Sequence, residues 1–450
     1  MFFGIKIKSA TLYLFLYFFL LALFGSLLLQ LPFFYADKNP VPYIDSLFTT
    51  VSAICVTGLS TVDIKIFSDA GLIILLFLIE AGGLGLVSFF TIYLVFSAKK
   101  ISLLNRRIIY EYFTEDSQIE VRGILKRILW VTLSFQGAGA LILSLILVFY
   151  GSQKPVLYGI FLSISAFCNA GFSPFSDSLV SFQGNYLLCI TIAILIIAGG
   201  LGYYVISDVW GRFVLHKNRK LSLHTKLVLT LTAVLVAGGT VFFFFMEKNR
   251  AFAQLSAGKK ILAAFFQSVT LRTAGFETVC QKEFSSPSTF VSVLMMLAGG
   301  SPGSMAGGLK TTTVFLVIYY VFRSINDKGS PSIFKRDIAE SSFKKALEIF
   351  IRGIVLIITM FIILLIVEMP LLDGGIFSSE ELFFEAISAY GTVGLSKGIT
   401  PLLSKGGKIL VILIMFAGRT GITFTVVNQI SRGKSINSVS EYPTEDILVG

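Results

Sequence analysis

Phe383-Phe384-Glu385-Ala386-Ile387-Ser388-Ala389-Tyr390-Gly391-Thr392-Val393-Gly394-Leu395-Ser396 decides how the rest of the chain is read. An apolar half-helix runs into a short tetrad that ends in glycine and an apolar residue. Three other stretches repeat the pattern: Val51–Leu59, Ile164–Phe172 and Ser268–Phe276. Aligned on Gly58, Gly171, Gly275 and Gly394, they place Ser52, Ser165, Val269 and Ser388 six residues earlier. Leu59, Phe172, Phe276 and Leu395 stand one residue later. Four such copies are what a pore with fourfold pseudo-symmetry requires.

A second repeated signal lies downstream. Glycine clusters occur at Ala81-Gly82-Gly83-Leu84-Gly85, Ala198-Gly199-Gly200-Leu201-Gly202, Ala298-Gly299-Gly300-Ser301 and Ala417-Gly418-Arg419-Thr420-Gly421. Ala81, Ala298 and Ala417 each stand 23 residues beyond their tetrad glycine, and Ala198 stands 27 beyond Gly171. One cluster alone would be ordinary small-residue helix packing; four at matching offsets make a repeat.

The composition sets the environment. Of 450 residues, 55% are hydrophobic, 14% are charged and 44 are Phe, and the mean hydropathy is +0.83. Soluble domains carry about 25% charged residues, so this chain is a membrane protein. Apolar runs such as Ala10–Phe34, Gly71–Phe96, Leu187–Ile206 and Ile349–Val367 suit spanning helices of about 20 residues. The first run follows Lys6 and Lys8 but exceeds a signal h-region of about 7–15 residues and lacks a small-x-small cleavage site, so it is expected to be a helix that stays.

The expected fold is all-α and polytopic. Eight transmembrane helices form four outer-helix/pore-loop/inner-helix repeats around one pseudo-fourfold pore. The expected outer, pore and inner segments are roughly 10–34, 43–55 and 70–97; then 123–150, 156–168 and 185–207; then 225–246, 258–271 and 288–322; then 349–369, 378–390 and 405–430. Pore helices of this length are too short to span. The chain divides into pore repeat one (1–98), repeat two with a cytoplasmic linker (99–222), repeat three with a gating loop (223–322), repeat four with its linker (323–430) and a C-terminal cytoplasmic tail (431–450).

The net charge of +11 is not a nucleic-acid signal. The basic residues gather between repeats, at Lys99, Lys100, Arg106, Arg107, Arg122, Lys126 and Arg127, at Arg212, Lys217, Arg219, Lys220 and Lys226, and at Arg323, Lys328, Lys335, Arg336, Lys344, Lys345 and Arg352. The positive-inside rule makes these loops cytoplasmic, places both termini inside and brings the tetrads in from the outer face.

The tetrads suit a dehydrated monovalent cation. Successive backbone carbonyls turn toward one axis when glycine takes a positive φ. The filter candidates are Val56-Thr57-Gly58, Asn169-Ala170-Gly171, Thr273-Ala274-Gly275 and Thr392-Val393-Gly394. None contains an acidic side chain, which favours carbonyl coordination, and the partly negative C-termini of the pore helices would aim at the axis. Asp63, Asp177 and Glu277 follow their tetrads and are either mouth acids that attract cations or solvated loop acids. Gly299-Gly300-Ser301-Pro302-Gly303-Ser304-Met305-Ala306-Gly307-Gly308 cannot remain a rigid helix. It is expected to be a flexible gate beneath the filter, with a plain kink as the alternative. Arg419, a charge at membrane depth, is expected either as a barrier to cations or as the partner of Glu80. Lys310 is expected at the cytoplasmic vestibule.

Enzyme chemistry is not expected. His216 and His224 lie in a basic loop, and Cys55, Cys168, Cys189 and Cys280 have no metal-ligand spacing and suit buried apolar positions. A polytopic enzyme would have only Glu80, Glu385 and Arg419 to work with, on different repeats. An organic-solute transporter would show inverted repeats, whereas these run in parallel.

These features resemble the Trk/Ktr/HKT superfamily of potassium transporters over nearly the whole chain, and most closely the membrane subunits of bacterial Ktr systems. The resemblance implies K+ uptake across the cytoplasmic (inner) membrane. It implies K+ coordination at Gly58, Gly171, Gly275 and Gly394, a gate at 299–308 and a pore-narrowing role for Arg419. Glycine rather than serine at position 58 implies K+ over Na+; Na+ as activator, Na+ conduction or K+/Na+ coupling is the alternative. It also implies a homodimer in the lipid membrane, with a separate cytoplasmic ring of nucleotide-binding KtrA/TrkA-like subunits. No organic cofactor is expected in this chain, because Gly82-Gly83-Leu84-Gly85 sits in an apolar helix and not after a strand. The tail end Ile447-Leu448-Val449-Gly450 is expected at the dimer interface or under the pore.

Overall fold

A computed structural model describes residues 10–84, 121–213, 220–323, 332–334, 336–338 and 340–432. Lys99, Lys100, Arg106, Arg107, Lys217, Arg219, Lys328 and Lys335 lie outside the described residues, as do Gly85 and the expected C-terminal tail beyond Arg432.

The described chain is helical, apart from one short antiparallel pairing of β1 (Ser332–Ile333) with β2 (Arg336–Asp337). The first set of elements is α1 (Ala10–Leu28), α2 (Tyr43–Cys55) and α3 (Asp69–Gly83). The second is α4 (Val121–Phe149), α5 (Pro155–Cys168), α6 (Tyr186–Leu201) and α7 (Tyr203–Phe213). The third is α8 (Leu223–Glu247), α9 (Ala257–Thr270), α10 (Ser286–Leu297) and α11 (Thr311–Arg323). The fourth is α12 (Glu340–Asp373), α13 (Ser379–Gly391) and α14 (Lys405–Arg432). The expected bounds of the short pore helices agree with α2, α5, α9 and α13 to within one residue.

Two inner helices are broken. The break between α10 and α11 falls at the glycine-rich stretch, as its composition requires. The second inner helix, expected to be continuous over 185–207, instead turns through 101° between α6 and α7. Gly202, at φ +86°, forms the corner, a conformation that costs glycine little. Its four-residue longer offset from the tetrad marked this repeat as different without revealing the bend.

Ile128–Phe149, Leu223–Glu247 and Ser342–Asp373 are each long and apolar enough to cross a membrane. On α12, Ile351, Val355, Ile358, Ile362 and Ile366 are exposed on one stripe. A helix with its largest aliphatic side chains outward is solvated by lipid, and the chain is an integral membrane protein.

The short helices are buried inside this shell. Phe48, Phe161, Phe266 and Phe384, one on each of α2, α5, α9 and α13, are at most 1% exposed. Each inner helix leans on the next short helix: α3 on α5, α6 on α9, α10 on α13, and α14 back on α2. Sequence-coded caps fix the entry points. Ser68, Asn185 and Ser404 accept from the N–H groups of Gly71, Leu188 and Gly407, and Ser378 with Glu381 forms a full capping box on α13. Such caps are worth about 1 kcal/mol each. Two fully buried carboxylates at the ends of outer helices brace two inner-helix starts: Glu247 accepts from Ser285 Oγ and Glu368 from Ser404 Oγ.

Candidate functional site

Three of the four short helices end in the same way. Val56, Asn169 and Thr392 follow α2, α5 and α13 in the left-handed conformation, with φ of 57°, 59° and 49°. Their N–H groups bond Ala53, Ala166 and Ala389 O, and the next N–H groups bond Ser52, Ser165 and Ser388 O at 2.7–2.8 Å. This is the Schellman geometry, which usually recruits glycine; here it is built on Val, Asn and Thr. Thr273, at φ 65°, holds the corresponding place in the third loop.

Two residues on, the tetrad glycines return to positive φ: Gly58 at 97°, Gly171 at 69°, Gly275 at 78° and Gly394 at 95°. Each loop therefore has left-handed residues two apart, at the first and third of the filter candidates. The sequence expectation assigned positive φ to the glycines only. The non-glycine members were missed because nothing in the residue types Val, Asn and Thr demands that backbone; the helix end imposes it.

The four glycines close a ring. A methyl group placed on Gly58 would strike Ala170 O, on Gly171 Ala274 O, on Gly275 Val393 O and on Gly394 Thr57 O. The carbonyl preceding each glycine is thus brought against the glycine of the loop before it, and the first loop's carbonyl against Gly394. Thr57, Ala170, Ala274 and Val393 contribute these oxygens, and all four residues are buried. Side-chain hydroxyls brace the loops from behind. Ser52 Oγ accepts from Gly58 N and Ser388 Oγ from Gly394 N, both at 3.1 Å. Ser165 Oγ donates to Phe172 O and Thr270 Oγ1 to Phe276 O. The third brace is Thr270, five residues before its tetrad glycine where the other hydroxyls stand six before theirs; Val269, at the six-residue position, has no hydroxyl to offer.

The glycine clusters have one physical cause in three repeats. A methyl group on Gly82, Gly199 or Gly418 would collide with Ile54 O, Phe167 O or Tyr390 O, the carbonyl four residues before each tetrad glycine. The inner helices lie directly against the C-terminal ends of the short helices, which only glycine permits.

Residues 298–310 form a strap between α10 and α11. Gly299 N bonds Leu309 O, Ser301 N bonds Gly200 O, Met305 N bonds Gly199 O, and Tyr203 N bonds Gly303 O. Gly299 lies against Thr273, Gly307 against Thr392 and Gly308 against Gly391. The whole candidate gate, Gly299, Gly300, Ser301, Pro302, Gly303, Ser304, Met305, Ala306, Gly307 and Gly308, is thus brought to the ends of the tetrads and the corner at Gly202. Arg419 donates through Nη1 to Met305 O and through Nη2 to Gly82 O (2.8 Å) and Gly83 O (3.3 Å). The alternative of an Arg419–Glu80 pair is corrected: Glu80 accepts from Gln136 Nε2 at 2.8 Å and from Cys168 Sγ at 3.3 Å. Carbonyls on the strap and at the C-terminal end of α3 outcompete the carboxylate because helix ends and irregular backbone carry acceptors that need donors. Lys310 Nζ donates to Ala306 O within the strap.

The acids after the tetrads have separate fates. Asp63 accepts from Lys65 N and Asp177 from Ser181 N, both as local turn caps. Glu277 Oε1 accepts from Ser396 N, tying the third loop to the fourth. Burial pushes its carboxyl above the usual glutamate range. Glu385, fully buried on α13, accepts from Ser396 Oγ and Thr400 Oγ1. Cys55, Cys168 and Cys189 are buried, free thiols.

Comparison with known proteins follows this geometry. A family model described as TrkH, cation transport protein, matches residues 6–438. The chain is 35% identical over 439 residues to the potassium/sodium uptake protein NtpJ of Enterococcus hirae, covering 96% of this chain and 95% of that one. It is 35% identical over 442 residues to the Ktr system potassium uptake protein B of Bacillus subtilis, covering 96% and 95%. Among solved structures, the potassium transporter TrkH of Vibrio parahaemolyticus superposes with a TM-score of 0.73 at 17% identity, over 95% of this chain and 85% of that one.

Proposed function

The chain belongs to the TrkH family of cation transport proteins and is no enzyme, and from that premise we propose that it carries K+ into the cell across the cytoplasmic membrane. The observation that carries this reading is the closed ring of Thr57, Ala170, Ala274 and Val393 carbonyls, each held against the tetrad glycine of the loop before it in chain order, with the first loop's carbonyl against the fourth loop's glycine. Inward-turned carbonyls replace the hydration shell of a monovalent cation. The membrane potential supplies about 2.3 kcal/mol per charge per 100 mV, so no bound energy source is needed in this chain. Four outer-helix/pore-loop/inner-helix repeats, eight spanning helices in all, surround one pseudo-fourfold pore, with the repeat boundaries expected from the sequence. The filter comprises the four triplets ending at Gly58, Gly171, Gly275 and Gly394; the strap 299–308 gates it and Arg419 pins the gate.

Several relatives are named as parts of a Ktr system, which supports a multi-component assembly. Here the chain would be the ion-translocating subunit, a homodimer docked on a nucleotide-binding cytoplasmic ring, with both termini inside. Growth of K+-uptake-deficient bacteria at low external K+ tests this: expression of the chain with a ring subunit is expected to restore it. No rescue by protein that reaches the membrane would count against K+ uptake. The second reading, Na+ conduction, K+/Na+ coupling or Na+ activation, has its support in the name of the Enterococcus hirae relative, a potassium/sodium uptake protein. Gly275→Ser separates the readings at the filter. It is expected to lower the K+/Na+ uptake ratio, and an unchanged ratio would remove that residue from the filter.

A further inference from the structure

The third loop departs from the other three in more than the place of its brace. Its helix α9 ends at Thr270, Leu271 follows in right-handed geometry, and no Schellman pair forms. Three residues before the tetrad glycine, the first, second and fourth loops carry Cys55, Cys168 and Gly391, whereas the third carries Arg272. Arg272 is only 4% exposed, and its Nε and Nη2 are enclosed with no hydrogen-bond acceptor. No carboxylate pairs with it among the described residues. Enclosing two donors of an ionised guanidinium without acceptors is costly. The buried acids are committed elsewhere: Glu385 to Ser396 and Thr400, Glu247 to Ser285, Glu368 to Ser404 and Asp45 to Lys408; the half-buried Glu277 accepts from Ser396 N.

We propose that Arg272 is a fixed positive charge that offsets the negative C-terminal end of α9 and thereby weakens cation binding in the filter. Three short helices present partly negative ends toward the ring; the fourth presents its end beside a guanidinium. A ring of carbonyls with four such ends would hold a cation too long, and conduction requires binding weak enough for release. Arg272 is a positioning residue for the energy of the bound ion, acting across the filter wall without touching it. A roughly tenfold change in affinity is what two unit charges about 12 Å apart exert at an effective dielectric of about 20. The inference rests on the proposed K+ pore.

The test is initial K+ uptake against external K+ in cells carrying Arg272→Met, Arg272→Gln or Arg272→Lys, with membrane abundance measured in each. Removal of the charge is expected to lower the half-saturating K+ concentration about tenfold and to lower the maximal rate. Arg272→Lys is expected to keep half-saturation within twofold of the parent protein. Unchanged half-saturation in a neutral variant that accumulates normally would overturn the proposal. If neither neutral variant accumulates, Arg272→Lys decides: parent-like abundance and half-saturation support the charge, and failure or a shifted half-saturation makes the residue structural. Gly275→Ser run alongside separates the two failures. An altered ion ratio there, with unmoved Arg272 variants, sinks only this inference; an unaltered ratio goes against the filter reading beneath it.

Discussion

A single side chain, Arg419, joins three parts of the molecule. Its guanidinium holds the strap at Met305 and the end of α3 at Gly82 and Gly83. Hydrogen bonds to charged groups are worth about 1.5–3 kcal/mol each, enough to bias a strap with no helical bonds of its own. Arg419→Ala is expected to free the strap and raise K+ flux several-fold at unchanged protein abundance; parent-like flux would deny the residue a pinning role. Glu277 offers a second test at this scale. Because its carboxyl sits above the usual glutamate range, it gains a proton before ordinary surface glutamates as pH falls. Acidification through that range removes a negative charge beside the outer loops, and K+ uptake at limiting K+ is expected to fall there. Glu277→Gln is expected to give the low-pH rate at every pH; a variant with the parent's pH profile would assign the titration elsewhere.

The inner helices and the strap work as backbone surfaces more than as side-chain surfaces. Gly82 meets Ile54 O, Gly199 meets Phe167 O and Gly418 meets Tyr390 O, so these helices set how closely three of the four tetrad-bearing short helices are approached. Gly82→Val forces α3 off α2 and is expected to abolish transport while α2 itself still forms, which accessibility of a cysteine label at the loop would report. The strap follows a different logic. Between Ala298 and Lys310 its backbone bonds run to the second repeat at Gly199, Gly200 and Tyr203 and back to its own ends, which allows the element to be exchanged between arrangements without unfolding a helix. Deletion of Gly303–Gly307 is expected to raise flux, and reduced flux in a well-folded protein would argue against a gate.

For the whole molecule, the decisive contact is the one that returns from the last repeat to the first. Lys408, near the start of α14, pairs with Asp45 on α2 at 2.7 Å, with both side chains only 10–13% exposed, and α14 packs along α2 and α1. Removing one partner leaves the other charge enclosed and costs about 3 kcal/mol. Lys408→Ala is therefore expected to lower the thermal midpoint in detergent more than Asp45→Ala with Lys408→Ala together; equal losses would mean that the pair does not hold the seam.

The four tetrads, the glycine clusters and the broken third inner helix are local patterns, and each was legible in the residues. Hydropathy set the environment, and short apolar runs before the glycines set the short buried helices, because helix length and the steric cost of glycine act within a few residues. Contacts made across the chain could not be read that way. The left-handed Val56, Asn169, Thr273 and Thr392 are held by helix ends and neighbouring loops. The brace at Thr270 stands one residue nearer its glycine than the other three and shows only in the folded loop. The bend at Gly202 lies where the strap packs against it, and Arg419 chooses carbonyls over Glu80 because the strap and the end of α3 meet at its guanidinium. Sequence determined which backbones are able to turn; tertiary packing decided which of them do, since backbone groups freed at loops and helix ends take their hydrogen bonds from whatever the fold brings to them.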